Sequence, residues 1–394
     1  MDMPKPLPPP PEGADRLFNK GVIYNLQALR ALAASLVVFY HVQGSAGAVS
    51  GLRYHSDFGA FGVDIFFVIS GFIMFHTTAG FRRTGTDFIV DRMVRVLPLY
   101  WIATLLLYGL YRVGFNANGV HSAPPLDVLS SLALYPRNLP NGTPLLLSLG
   151  WTLIYEMLFY LLFAATFFMR SHTRSLIALS SVFVGLALSS RAFPDLPFSA
   201  AYFTNAIVFE FLFGAALTLA IPHLPPLPGK TLLLVGCVLV ALGFVAMIGV
   251  PIQRLDKGLS LESRALRAGL PALCVVAGAL LAESAEYRWR FAPVISLGAA
   301  SYALYLFHPL ILQPAMKVFG ALVHTEGIAV LVAANVFAFA VCSAAAVALH
   351  LFLERPITAR LKRRRLHPRD GSEETGKAGS LARKGLDPVA LEQG

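Results

Sequence analysis

Ten stretches of about 20 mainly apolar residues run through this 394-residue chain, and that is the length an α-helix needs to cross the hydrocarbon core of a bilayer. They fall at about 25–45, 61–80, 97–115, 145–168, 173–190, 199–221, 231–250, 265–282, 293–316 and 328–353 when the sequence is divided at Pro, Gly and charge clusters. Runs such as 231–250 are apolar throughout. Strands of an outer-membrane barrel are shorter and alternate polar with apolar residues, so the spanning elements are read as helices. Hydrophobic residues make up 56% of the chain and charged ones 14%, against roughly 45–50% and about 25% in soluble domains. No soluble core could hide that excess. The predicted fold class is all-α, a polytopic integral membrane protein with about ten transmembrane helices.

An even number of crossings places both termini on one side, and cytoplasmic loops carry an excess of Lys and Arg. With the N-terminus inside, 22 of the 32 Lys and Arg fall on the inner face, nine fall outside, and Arg30 lies within the first span. Both termini are therefore expected in the cytoplasm, with the loop around 251–267, which holds Arg254, Lys257, Arg264 and Arg267, on the outside. The expected divisions are a disordered N-terminal arm at 1–20, a transmembrane domain at 21–356 and a basic, largely disordered tail at 357–394. Met1 to Lys20 is Pro-rich and polar, without the apolar centre of a cleavable signal peptide. The net charge of +10 sits beside the spans, which suits orientation and attraction to anionic lipid and offers no folded basic surface for nucleic acid. Cys237, Cys274 and Cys342 each lie in an apolar run, so neither a disulfide framework nor a zinc spacing is expected.

An ionisable residue at membrane depth costs a few kcal/mol, so each needs an explanation. Arg30 and His41 are eleven residues apart, three helical turns, which puts them on one face of the first span with about 16 Å between their levels. Taken singly, they are a snorkelling arginine and a hydrogen-bonded histidine; a shared face favours a functional reading. Asp64 opens the second span near the level of His41, where a carboxylate could orient the imidazole, or simply cap a helix. Ser70 and Gly71 read as a helix-packing pair, and His76 follows on the same span. Arg92 and Arg95 stand one turn apart on a segment expected to be a cytoplasmic connection, where two planar forks can grip one anion or merely set orientation. Glu156 has no basic residue within a turn on its own helix; it must be protonated, wet or paired with another span. Glu210 is a second such acid, and His308 precedes a helix-distorting proline. His350 carries no supporting pattern.

A histidine, several carboxylates and an arginine pair can serve either of two chemistries. Acyl transfer needs a base to accept the proton of an attacking hydroxyl, and a neutral imidazole does this at pH 7. A donor bearing phosphates would use the arginines. The alternative is a proton-coupled transporter or flippase of a glycan or lipid precursor, which explains the buried acids but gives the arginine pair no role.

The chain resembles the membrane-bound acyltransferase 3 family. The likeness rests on Arg30 and His41, Phe61-Gly62-Val63-Asp64-Ile65-Phe66-Phe67-Val68-Ile69-Ser70-Gly71-Phe72, Arg92 with Arg95, Trp151-Thr152-Leu153 with Glu156, and Ser301-Tyr302 through His308. It covers about residues 20–356 and looks most like the exopolysaccharide O-acetyltransferase branch. The resemblance implies acetyl transfer from cytoplasmic acetyl-CoA to a hydroxyl of a polysaccharide or lipid-linked glycan, at the bacterial inner membrane and without a metal. It implies His41 as catalytic base with Arg30 as its partner, Glu156 and Asp64 as relay or orienting groups, and Arg92 with Arg95 as the donor-binding pair. Trp151, Tyr305 and His308 are the implied substrate-binding residues.

Overall fold

The computed structural model describes residues 21–80, 83–114, 123–140, 142–255, 257–258 and 260–366. The N-terminal arm at 1–20, Arg82 and the tail beyond 366 lie outside the described residues. Among those described, the regular elements are all helical. Nine stretches are long and apolar enough to cross a membrane, and a tenth consists of two helices joined at a 76° bend, which matches the expected ten. The helices that position the site are α1 (Tyr24–Ser50), α2 (Phe61–Thr77), α3 (Gly85–Arg112), α4 (Trp151–Ala165), α5 (His172–Ala192), α6 (Phe209–Ala220), α7 (Gly229–Met247), α8 (Leu270–Ser284), α9 (Ala292–Ala299), α10 (Ser301–Leu322), α11 (Ile328–Leu349) and α12 (Arg355–Leu366).

The third span corrects the sequence reading. It begins at Gly85, where the Thr84 hydroxyl accepts from the Asp87 backbone N–H and the Asp87 carboxylate accepts from the Thr84 N–H. This reciprocal cap satisfies two helix-end donors and starts the helix ahead of the charges. Arg92 and Arg95 therefore sit inside α3, not on a connecting loop, and the helix continues through Pro98. A division at charge clusters fails here because these arginines face the bundle interior, where charge at depth is tolerated.

The ninth span is likewise not one rod. Gly298, at the end of α9, presses on α1 so closely that a Cβ would lie 2.1 Å from the Gln27 carbonyl oxygen. The chain then turns by 76° into α10, which carries Ser301, Tyr302 and Tyr305 into the bundle. After α11 a π-helical turn, His350–Glu354, leads directly into α12. The tail expected from 357 thus opens with ten helical residues. Within the π turn the His350 Nδ1 lies 2.9 Å from Glu354 Oε2.

Apolar side chains gain little by leaving lipid for one another, so helices in a bilayer associate through close packing, and small residues let backbones approach. On α2 and α6 the device is reciprocal. A Cβ on Gly71 would stand 1.9 Å from the Phe211 carbonyl oxygen, and one on Gly214 would stand 1.9 Å from that of Val68. Aromatic rings continue the contact into α4, with centroids 4.5 Å apart for Phe67 and Phe211 and 4.8 Å for Phe159 and Phe211. Gly71→Ala or Gly214→Ala is expected to cost about 1–3 kcal/mol through overpacking. Thermal unfolding of the detergent-purified protein checks this, with Gly185→Ala, which has nothing within 4 Å, as the silent control.

Candidate active site

Five helices, α1, α2, α3, α4 and α10, enclose a cavity of about 140 Å³. Its α2 wall runs from Val63 to Met74, about three helical turns or about 16 Å of helix. Arg30, Arg92 and Arg95 line one end and Tyr305 lies toward the other.

At the first end Arg30 Nη1 donates to Gln27 Oε1 at 3.1 Å. Arg92 is 5% exposed, with its guanidinium 5.6 Å from the Phe88 ring centre, and its Nε has no hydrogen-bond partner. Further along, the Ser70 hydroxyl donates to Glu156 Oε1 at 3.2 Å and the Tyr160 hydroxyl donates to the same oxygen. Glu156 also lies within electrostatic reach of Arg92. The acid that had no cation on its own helix thus finds hydroxyls from α2 and its own next turn, and a guanidinium from α3. Ser70 and Gly71, expected as one packing pair, divide the work: Gly71 meets α6 and Ser70 faces the cavity. The 100° step between successive helical residues makes that division automatic.

The other end holds two histidines. Helix α1 is continuous, so Arg30 and His41 share its face. The His41 Nδ1 donates to the Val37 carbonyl at 2.8 Å; a carbonyl only accepts, so this bond puts the ring proton on Nδ1 and leaves the Nε2 lone pair available in the neutral ring. His41 is exposed, and its ring lies 4.9 Å from that of His308, which is wholly buried. His308 repeats the pattern, with Nδ1 donating to the Leu304 carbonyl at 3.1 Å and Nε2 without a partner. The Tyr305 ring centre is 6.4 Å from that of His308, and its hydroxyl is held by Thr152 Oγ1 at 2.9 Å and the Leu149 carbonyl at 3.1 Å. Tyr305 lines the cavity and His41 does not. The track from Arg30 toward His41 is therefore interrupted by the Tyr305–His308 layer.

Asp64 departs from its expected place as an orienting group for His41. Its two oxygens receive Arg264 Nε at 2.8 Å and Nη2 at 2.9 Å, and its side chain is wholly buried. Arg264 immediately precedes the π-helical turn Ala265–Gly269 that leads into α8, and its guanidinium also stacks 5.6 Å from the Trp151 ring centre. Trp151 thus supports that ion pair and does not line the cavity. The fully buried Glu210 stands in electrostatic contact with both Asp64 and Arg264. Reading 251–267 as an outer loop hid Arg264; its one sequence signal is a cation at the mouth of an apolar span. Among the described residues no group of three or more His, Cys, Asp or Glu is placed to hold a metal ion.

A cavity inside a helical bundle, with guanidinium groups, a glutamate and hydroxyls along it and two imidazoles packed beyond its Tyr305 wall, suits an integral membrane enzyme that handles a charged substrate. The profile of the acyltransferase domain family matches residues 23–349, and the chain belongs to that family: it is a multi-pass membrane acyltransferase. It is also similar to "Exopolysaccharide production protein ExoZ" of Rhizobium meliloti (strain 1021), with 31% identity over 322 residues, 79% of this chain and 94% of that relative. No solved structure matches with significance.

Proposed function

We propose that the protein is an O-acetyltransferase of the bacterial inner membrane that moves an acetyl group from cytoplasmic acetyl-CoA to a hydroxyl of an exported polysaccharide or its lipid-linked precursor. The observation that carries this reading is the set of polar groups along the cavity, Arg30, Arg92 and Arg95, then Glu156 with Ser70 and Tyr160, then Tyr305, behind which His308 packs against His41. The arginines meet the phosphates of the donor, since planar forks match phosphate oxygens. Its long flexible arm lies in the cavity, where Glu156 orients it. The name of the similar rhizobial protein supports an exopolysaccharide acceptor. The basic residues of α12 and the tail support a cytoplasmic position for both termini.

The acceptor enters from the His41 side. His41 Nε2 takes the hydroxyl proton as the oxygen attacks the thioester carbon; the new C–O bond replaces the C–S bond, and the thiolate leaves to be protonated. Transfer is direct, with Tyr305 moving aside to admit the thioester and His308 holding the reacting groups beside His41. Incubation of the purified protein with acetyl-CoA and candidate glycans tests the reading by ester formation, together with mass spectrometry of cell-surface polysaccharide with and without the protein. Transport of a glycan in proteoliposomes with no acetyl ester in the product would favour the flippase alternative instead.

The arginine pair makes a separate prediction. Arg92→Ala is expected to raise the KM for acetyl-CoA by 10- to 100-fold, and Arg92→Lys to recover only part of that loss, because Lys keeps the charge and loses the fork. Initial rates against donor concentration check it; an unchanged KM in Arg92→Ala would leave the pair a purely topological role.

A further inference from the structure

Four rings stand in a row at the C-terminal part of α1. The wholly buried His308 lies 4.9 Å from His41 between ring centres, His41 lies 5.1 Å from Tyr40, and Tyr40 lies 6.2 Å from His55. The His55 side chain is 67% exposed, so the row climbs from inside the bundle to the surface.

The surface end of the row is held in place. Gln43 of α1 accepts from the Ser56 backbone N–H at 2.6 Å and donates to the Ser56 carbonyl at 2.8 Å, which pins the connection between α1 and α2 to the side of α1. A Cβ on Gly59 would stand 2.4 Å from the Leu36 carbonyl oxygen, so that connection lies directly against the helix. His55 Nε2 is 3.0 Å from Asp57 Oδ1, and Gln253 Nε2 donates to the Tyr40 hydroxyl at 2.6 Å. The turn that carries Gln253, Ile252–Arg254, packs against Asp57–Ala60. Planar rings are thus flanked by an amide, a carboxylate and a phenol hydroxyl, which donate and accept hydrogen bonds at fixed positions. Groups fixed before a ligand arrives lose little entropy when it binds.

Helix α1 also leaves room in front of His41. The face of α1 that lines the cavity, through Ile23, Leu26, Gln27 and Arg30, continues through Ala34, Val37 and His41 to Gly44 and Ala48 by helical periodicity. It is covered at Ala34 and Val37. From His41 onward it is open: His41, Gly44 and Ala48 are all exposed, and a Cβ on Gly44 would have nothing within 4 Å.

We propose that this open face and the row of rings form the binding site for the acceptor carbohydrate. Sugar rings lie along His41, Tyr40 and His55 in the space over Gly44, with Asp57 and Gln253 taking their hydroxyls. Rings with polar edges suit such a ligand, which is apolar on its ring faces and polar at its rim. The site deepens the acetyltransferase reading above and rests on it.

The probe is polysaccharide from the producing cells, stripped of its acetyl esters by mild alkali and given with acetyl-CoA to the purified full-length protein. Gly44→Phe puts a ring into the open space and is expected to lower ester formation about 10- to 100-fold by displacing the acceptor, with coenzyme A binding retained in calorimetry. Gly185→Phe, at an exposed position on α5 whose Cβ also meets nothing within 4 Å, is the control. His55→Ala and Gln253→Ala are each expected to raise the KM for the polysaccharide about five- to tenfold, the loss of a hydrogen bond or two. Ester formation by Gly44→Phe at the parent rate overturns the proposal and leaves the acetyl-CoA reading intact, as does an unchanged KM in both His55→Ala and Gln253→Ala. Absence of ester formation by the parent removes both.

Discussion

Asp64→Ala is expected to destabilise the purified protein by about 3–5 kcal/mol, because it leaves the Arg264 guanidinium as an uncompensated charge inside the bundle. The pair is bidentate, Asp64 has no exposed surface and the Arg264 side chain is only 18% exposed, so water can replace only part of the lost contacts. Glu210 stands beside them, and it is positioned to recapture part of the charge. Asp64→Ala combined with Glu210→Gln should therefore cost more than Asp64→Ala alone. Removing both charges, as Asp64→Leu with Arg264→Met, should restore much of the loss, since desolvating two ions nearly cancels the attraction between them. Thermal unfolding midpoints in one detergent decide it. An Asp64→Ala variant as stable as the parent would show that the pair does not bind α2 to the start of α8.

His41→Ala should lower the rate of acyl transfer by about 10²–10⁴-fold, the range a positioned general base supplies, while coenzyme A binding stays near the parent value. His41 is exposed and its bonded ring nitrogen reaches only the backbone of its own helix, so its truncation leaves no buried partner stranded. Loss of activity with intact donor binding separates the base from Arg30, some 16 Å away along α1, and from the arginine pair of α3. A folded His41→Ala variant that transfers acetyl groups as fast as the parent would exclude the imidazole from the chemistry.

How much of this could be read in advance differs from residue to residue. The spans were legible because the bilayer imposes one length and one polarity on every crossing. The common face of Arg30 and His41 was legible because helical periodicity is a local rule, and α1 obeys it without a break. The start of α3 was misread: the Thr84–Asp87 cap is in the sequence, yet the charges that follow it imitate a loop. Whether a charge is tolerated in a helix depends on what that face meets across the bundle.

The sequence by itself determined the helical, membrane-spanning class, the number of crossings and the polar residues that demand an explanation, since each follows from length, hydropathy or spacing along one helix. Tertiary structure alone decided the partners. Asp64 goes to Arg264, 200 residues away, and His41 lies against His308, with Tyr305 between them and the cavity. Glu156 shares its oxygen with Ser70 from another helix. Pairing across helices depends on how their faces rotate and on where small residues let backbones meet. Those quantities are fixed by packing among segments distant in the chain, and no local periodicity encodes them.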